Sequence, residues 1–537
     1  MAQATGDCLP GTAEADLDVN DVRARLFNGG NLFFGNQTVS GAGYLVPKAS
    51  GVSPIFNTEL WVGGQVDGEL RAAGAFYSSF EFWPGPLDEA GNPPADCSVY
   101  DRIFVVSRGD VARYLETGEA TADLRDWPVE LGAPVLDGDG VEGNYNLGGG
   151  DEPAISGEQM AWWVMNDAGN TNDVDDRTFL DHTPLYLEVQ VSAFAVPAVE
   201  RALDQATLYR YRLHYKGRVP LDSAYVGWWS DVDLGDASDD YVGADTTLDM
   251  SFVYNQSEVE PIYGIPPAAG TQLLQGPIGL SNGRDDDRDG IIDETGERLG
   301  VTSSACYFDN NPLGPNWDVS VYNCLRGRWF GGSTINQGNW GYFSEGSVTT
   351  FGFPGDPVSG AYWSAENADG EGTSLFGGDF WMSAFSGPFR LEPGETEEIV
   401  FAIPFAQGTD RLDSVVQLRQ AARFLQNAYD LGFFDPQRVG AVPEPDPLPD
   451  AFALSQPFPN PFGASASLTL RVPEDAGPAR LSVLDALGRE VAVLADGVLP
   501  PGERSFTLDG SGLASGVYLV RLATARQSET LRVVHAE

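Results

Sequence analysis

Prolines alternate with other residues across Val442-Pro-Glu-Pro-Asp-Pro-Leu-Pro449. Each proline lacks a backbone N–H and fixes φ, so this stretch can join neither a helix nor the interior of a sheet and reads as an extended, semi-rigid spacer. The chain must fold as separate bodies on either side of it. A length of 537 residues agrees, being beyond what one compact core usually organises. The expected division is an N-terminal segment at 1–20, a β-rich region of one or two subdomains at 21–440, the linker at 441–452 and a small module at 453–537. Charge follows the same cut. The module carries seven arginines and nine acids, net −2, which leaves −45 of the total −47 on the rest.

The large region reads as mostly β and sandwich-like. Leu185-Tyr-Leu-Glu-Val-Gln-Val-Ser-Ala-Phe194 and Leu208-Tyr-Arg-Tyr-Arg-Leu-His-Tyr215 alternate with period 2, as half-buried strands do. Short strands punctuated by glycine and proline favour sandwiches or barrels over a parallel α/β sheet. One helix stands out. Val415, Leu418, Ala422, Leu425 and Tyr429 recur at helical spacing after Asp413 or Ser414 as the N-cap, with Gly432 at the C-cap, predicting a helix laid on a sheet.

The excess of 78 acidic over 31 basic residues argues against a nucleic-acid or anionic-membrane binder, since both need a basic footprint. Lys48 and Lys216 are the only lysines, so 29 of the bases are arginine. A lysine-poor, carboxylate-rich surface suits high salt, where screening relieves self-repulsion; a GC-rich genome gives the same bias. No apolar run approaches the roughly 20 residues that span a bilayer. The N-terminus lacks the basic and apolar regions of a signal peptide, yet Ala2-Gln3-Ala4 has the small residues of a cleavage site, so a processed chain is expected. The cysteines are Cys8, Cys97, Cys306 and Cys324, with no CxxC pair, and zinc is not expected. In an exported protein Cys306 with Cys324 would close a short loop and Cys8 would tie the N-terminus to Cys97. In a reducing compartment buried free thiols are the alternative.

Beyond the linker, Leu454-Ser-Gln-Pro-Phe-Pro-Asn-Pro-Phe462 precedes a strand at Ser467-Leu-Thr-Leu-Arg-Val472. Ala479-Arg-Leu-Ser-Val-Leu-Asp-Ala-Leu-Gly-Arg-Glu-Val491, Leu513-Ala-Ser-Gly-Val-Tyr-Leu-Val-Arg521 and Glu529-Thr-Leu-Arg-Val-Val534 follow. Alternation and turn residues give a small Ig-like β-sandwich. The series closely resembles the type A sorting domain of the type IX secretion system of Bacteroidetes and related phyla. The matching positions include Pro459, Asn460, Pro461 and Phe462 at the entry, Gly488 at the turn, and Gly516 and Tyr518 on the late strand. Gln456-Pro-Phe-Pro departs from the family's usual Gln-Asn-Tyr-Pro. The resemblance implies export through the outer membrane, the type IX machinery as partner, and an extracellular or outer-surface location. In the family the module is commonly removed and the cargo released or attached to a surface glycolipid.

Strings of the large region, among them Leu60-Trp-Val-Gly-Gly64, Phe82-Trp-Pro-Gly-Pro86, Tyr225-Val-Gly-Trp-Trp-Ser-Asp-Val-Asp-Leu-Gly-Asp236 and Gly387-Pro-Phe-Arg-Leu391, resemble a group of uncharacterised secreted proteins bearing the same sorting domain. That resemblance implies a common extracellular scaffold and carries over no catalytic residue.

Asn282-Gly-Arg-Asp-Asp-Asp-Arg-Asp-Gly-Ile-Ile-Asp-Glu294 is the most chemically pointed segment. Asp285, Asp287 and Asp289 at alternate positions before Gly290 put hard oxygens around one point, as calcium requires, and the Ile291 carbonyl and the Asp293 carboxylate can complete the shell. The twelfth loop position is Gly296 instead of glutamate, so an EF-hand is not supported. A solvated acidic turn is the plain alternative. A second, weaker candidate places a divalent cation among Asp231, Asp233, Asp236 and Asp240, against a solvated hairpin tip.

No catalytic residue is assigned. The histidines are His182, His214 and His535, without a helix-borne pair, so zinc hydrolysis has no support. Ser281 sits in a Gly-x-Ser-x-Gly pattern but opens the acidic loop, where a nucleophile elbow needs a strand before it and a helix after it. Trp162, Trp163, Trp228, Trp229, Trp329, Trp340, Trp363 and Trp381 suit sugar stacking, although in β-rich proteins tryptophan is more often core. Arg210, Arg212, His214 and Lys216 share one strand face, where they can meet an anionic glycan or pair across to Glu188. The expected function is an exported, calcium-stabilised, non-catalytic scaffold or adhesion protein that meets extracellular polysaccharide or copies of itself. A secreted polysaccharide hydrolase or a carbohydrate-binding protein is the alternative.

Overall fold

The computed structural model describes residues 8–34, 43–77, 79–169, 183–280, 296–305, 307–308, 317–342, 345–436, 452–454, 462, 465–473, 477–484, 489–497, 502–510, 512–524 and 528–535. The chain divides into two compact units, Met1–Val439 and Gly440–Glu537.

The larger unit is built on two antiparallel sheets. In the first, the strands run in the order Glu14–Leu17, Arg23–Phe27, Asn31–Leu32, Asn57–Val66, Leu221–Val232, Phe380–Leu391 and Tyr307–Phe308. In the second the order is Phe104–Ser107, Gln159–Asn166, Leu187–Ala195, Thr207–Tyr215, Thr396–Ile403, Ala268–Gln275, Met250–Asn255 and Asp240–Asp245. Both are rich in valine, tryptophan, tyrosine and phenylalanine, which fit a pleated, packed surface. The sheets meet at Trp228. Its ring stacks on Phe401 with centroids 4.5 Å apart, meets Tyr209 edge-on at 5.1 Å, and its Nε1 donates to the Tyr211 hydroxyl at 3.1 Å. The indole thus buries its area without leaving its N–H unpaired.

Leu187–Ala195 is buried at every position, where alternation predicted one wet face. The chain between the strands Phe104–Ser107 and Gln159–Asn166 folds back over the outer side of the second sheet, packing Leu124, Trp127 and Ile155 onto Trp162 and Phe194. The polar positions are covered, and Gln190 donates to Leu131 O at 3.1 Å. Thr207–Tyr215 keeps its alternation, with Arg212 exposed. Arg210 lies 3.5 Å from Glu398. Glu188 is opposite His214 in register but accepts from Leu87 N and Gln190 Nε2.

The long helix spans Arg411–Asp430, starting earlier than its apolar spacing suggested. Asp410 is the N-cap and accepts from the Leu412 and Asp413 amides, while Asp413 in the first turn reaches back to Thr409 N at 2.8 Å. The two bonds to Asp410 satisfy first-turn donors that would otherwise be orphaned. Gly432 takes the left-handed φ of 70° after the last turn, where glycine costs least. Val415, Leu418, Ala422 and Leu425 face the core, and Gln272 fixes the helix to the second sheet by donating to Ala422 O at 3.0 Å.

A disulfide joins Cys8 to Cys97, and both lie buried beside Trp83. Cys324 is buried within the helix Trp317–Leu325, and Cys306 lies outside the described residues.

The smaller unit contains one sheet ordered Ala453–Leu454, Ser465–Val472, Gly502–Asp509, and another ordered Glu490–Gly497, Ala479–Leu484, Gly516–Thr524, Ser528–His535. Leu468, Leu470 and Val472 of the first sheet share one core with Leu481, Val483, Val520 and Leu522 of the second, a two-layer β-sandwich.

Candidate functional site

Period 2 aligns a row of side chains on the outer face of the first sheet, away from Trp228. Glu59 is opposite Trp229, Asn57 opposite Asp231, and Asp231 opposite Trp381. Trp61 stacks on Trp229 at 5.8 Å and on Phe385 at 6.0 Å, and Trp229 meets Trp381 at 5.0 Å. Gly227 makes this approach possible, since a Cβ there would stand 2.7 Å from the Phe385 ring and 2.1 Å from Ala384 O. Tyr77, at the turn between Ala75–Phe76 and Ser79–Phe80, closes over the row. Its ring lies 5.6 Å from that of Trp229 and its hydroxyl donates to Asp231 Oδ2 at 3.0 Å.

Carboxylates line this recess. Glu59 is fully buried and accepts from Tyr77 N and Asn57 Nδ2; burial, then the charge of Asp231, pushes its pKa up to about 8, which disfavours its charged form. Further along, Asp231, Asp233 and Asp379 bring carboxylate oxygens within 4.8 Å of one another. Burial and then Asp379 push Asp233 up to about 6. Asp240 is fully buried and raised well above the carboxylate range by burial and then by Asp233 and its acidic neighbours. Asp236 is elsewhere: its exposed carboxylate accepts from Ser238 N at 3.1 Å, capping the turn Ala237–Asp239. The structure therefore joins Asp231 and Asp233 to Asp379, which the sequence did not single out.

A second trio, Asp137, Asp139 and Asp151, is held by its own loop. Asp151 accepts from the Gly138, Asp139 and Asn146 amides, and Asp139 from Val141 N and two asparagine side chains. Asp285, Asp287, Asp289, Ile291 and Asp293 lie outside the described residues, as do Ser281 and His182. Seven of the eight singled-out tryptophans are buried, and Trp340 is half-buried against Phe380. A cleft of about 600 Å³ opens between the long helix and the strand Ala268–Gln275, lined by Gln272, Gln275, Arg298, Gln426, Asn427 and Tyr429 among others. No helix among the described residues is long and apolar enough to cross a membrane.

In the smaller unit Phe462 is buried at 1% exposure, its N–H donates to Val534 O at 2.9 Å, and its ring lies 4.9 Å from His535. Phe462 is thus pinned to the last strand. Tyr518 is buried and donates from its hydroxyl to Ala514 O at 2.8 Å; Gly516 starts the same strand, opposite His535. Pro459, Asn460, Pro461 and Gly488 lie outside the described residues.

Residues 456–536 match the family described as the secretion system C-terminal sorting domain. The smaller unit is therefore a type IX sorting domain, which indicates export to the extracellular space or outer surface and implies contact with the type IX machinery. Comparison with curated proteins gives no match. A solved polysaccharide lyase aligns with 98% of this chain at 7% identity and a TM-score of 0.25, too low to bear on fold or activity. The chain spans 47% of that lyase's length.

Proposed function

We propose that the large unit is a calcium-stabilised, non-catalytic scaffold or adhesion body delivered outside the cell by its Ig-like sorting domain. The observation that carries this reading is where the aromatic side chains go. Seven of the eight indoles that would stack on a sugar are buried, Trp228 between the sheets and Trp229 and Trp381 under Tyr77, and Glu59 and Asp231 are buried in the same recess. The Asp285–Asp293 loop is the proposed calcium ligand set, with oxygen donors only. A two-part experiment tests the reading. Deleting residues 453–537 strands the large unit inside a type IX-competent host, and the purified full chain neither cleaves nor binds members of a polysaccharide panel. Unchanged appearance of the truncated chain in the medium overturns the delivery; cleavage overturns the non-catalytic role.

The cleft along the long helix favours a second reading, carbohydrate binding. Its amides and the Tyr429 hydroxyl offer the mixed donors and acceptors that sugar hydroxyls need, and the buried Gln272 Oε1 has no hydrogen-bond partner. Retention on the panel without cleavage selects this reading.

A further inference from the structure

The face that Thr207–Tyr215 turns away from the first sheet is covered only at its start. Leu208 is buried in the apolar cluster that holds Trp127 and, from the long helix, Leu425. Further along, Arg212 is exposed, and His214 and Lys216 are half-buried. Period 2 puts these three on one face, since Tyr211, Leu213 and Tyr215 between them are buried on the other. The acid best placed to neutralise the row is engaged elsewhere. Glu188, opposite His214, is buried and accepts from Leu87 N and Gln190 Nε2. Glu398, opposite Arg212, lies 3.5 Å from Arg210. Among the described residues the side chains of Arg212 and Lys216 have neither a hydrogen bond nor an ion pair. Both charges are felt at His214, where, after burial, they lower the pKa to about 4. Its Nδ1 lies 2.8 Å from Thr396 Oγ1, and its Nε2 is buried without a hydrogen-bond partner. Two unpaired cations thus stand on one strand face of a unit that carries nearly all of the chain's excess acid, and such a local field gathers anions.

The row adjoins the cleft along the long helix. Gln275 and Arg298 line that cleft and both donate to Glu398 O, at 3.0 and 3.3 Å, and Glu398 is the register partner of Arg212. We infer that Arg212 and Lys216 bind the anionic groups of an acidic polysaccharide, carboxylated or sulfated, whose neighbouring sugars enter the cleft. The preference for a glycan over a second acidic copy of this chain rests on the carbohydrate-binding reading of the cleft. Arg212 offers a planar fork to a carboxylate or sulfate, and Lys216 a point charge. Four residues apart on an extended strand, they are spaced by about 13 Å, which lets them meet successive anionic groups of one polymer. A polymer that repeats its charge therefore binds more tightly than its monomer.

The full chain, titrated with alginate, dextran sulfate and neutral dextran, should bind the two acidic polymers, more weakly as salt is raised, and in preference to dextran. Arg212→Gln with Lys216→Gln should weaken acidic-polymer binding about tenfold with an unchanged near-ultraviolet spectrum. Arg113→Gln with Arg390→Gln removes the same charge at exposed positions elsewhere and should titrate as wild type. Equal loss in the two double variants, or no loss in the first, overturns the inference. Neutral and acidic polymers bound alike, untouched by either pair, overturn it while keeping the cleft reading. Acidic-polymer binding that the first pair weakens but Asn427→Ala with Tyr429→Phe leaves alone supports the row and fails the cleft reading. Absence of acidic-polymer binding overturns the inference, and salt-sensitive self-association removed by the first pair would then assign the row to a second copy.

Discussion

Replacing both Cys8 and Cys97 by alanine removes a cross-link that spans 89 residues of chain. In the chain-entropy account the bond acts on the unfolded state, and a loop of this length corresponds to about 4–5 kcal/mol of lost stabilisation at 25 °C. The native side adds to this. Both sulfurs are buried against Trp83, and deleting them leaves a small void worth about 1 kcal/mol. Other ties remain: Asp101 accepts from the Thr12 and Ala13 amides at 2.8 and 2.9 Å, and Glu14–Leu17 pairs with Arg23–Phe27. These hold the native N-terminal segment in place but do nothing to restrict the unfolded chain. The expected result is therefore a native-like structure with lower stability. Urea unfolding of the large unit, followed by tryptophan fluorescence and fitted apart from the sorting domain, should show a loss of about 5–6 kcal/mol. A loss below about 1 kcal/mol with an unchanged m-value would refute the loop-entropy reasoning.

Two further perturbations test the large unit. Burial, then the charges of Arg212 and Lys216, lowers the His214 pKa to about 4; an unfolded histidine titrates near 6.5, so between these values the unfolded chain binds the extra proton. The stability tied to the neutral imidazole is present above about pH 6.5 and is lost as pH falls towards 4, so His214→Gln should flatten the pH 7 to pH 5 difference in urea midpoint by an amount equivalent to about 1 kcal/mol after allowance for solvent screening. Asp410→Ala removes the side chain that accepts from Leu412 N and Asp413 N and should lower the stability of the large unit by about 1 kcal/mol in the same assay; a change within error would show that the cap is redundant with Ser414.

The sorting domain was the most legible part because its signals are consecutive in the chain, each turn and strand beside the next. The alternating strands were equally plain, but their surroundings were not. Alternation in Leu187–Ala195 reports two chemically different faces, and the cover laid over the polar one comes from a segment whose docking no local pattern encodes. The helix start was displaced because Asp410, Asp413 and Ser414 all have capping side chains; only the backbone decides which is the cap. In the recess, Asp231 and Asp233 stood out as a dense acidic run, whereas Glu59 reaches it on another strand, Asp379 from just before a third and Tyr77 on a separate turn. Sequence spacing carries no signal for a partner delivered by sheet register. Trp228 and Trp229 show the same limit from the other side, since adjacency put one between the sheets and the other under Tyr77.

The order of strands in the second sheet fixes the order in which this protein can be finished. Thr396–Ile403 is inserted between Thr207–Tyr215 and Ala268–Gln275, so two early strands wait for a late one before either gains its second neighbour. Phe380–Leu391 likewise completes the middle of the first sheet beside Leu221–Val232. A chain growing from its N-terminus therefore makes hairpins early but cannot close its sandwich until the last segment before the linker has emerged, and long-range pairing of this kind is slow and exposes unpaired edges meanwhile. The large unit is in effect locked by its final strand and helix. A nascent chain that stalls before residue 396 has no native state to wait in.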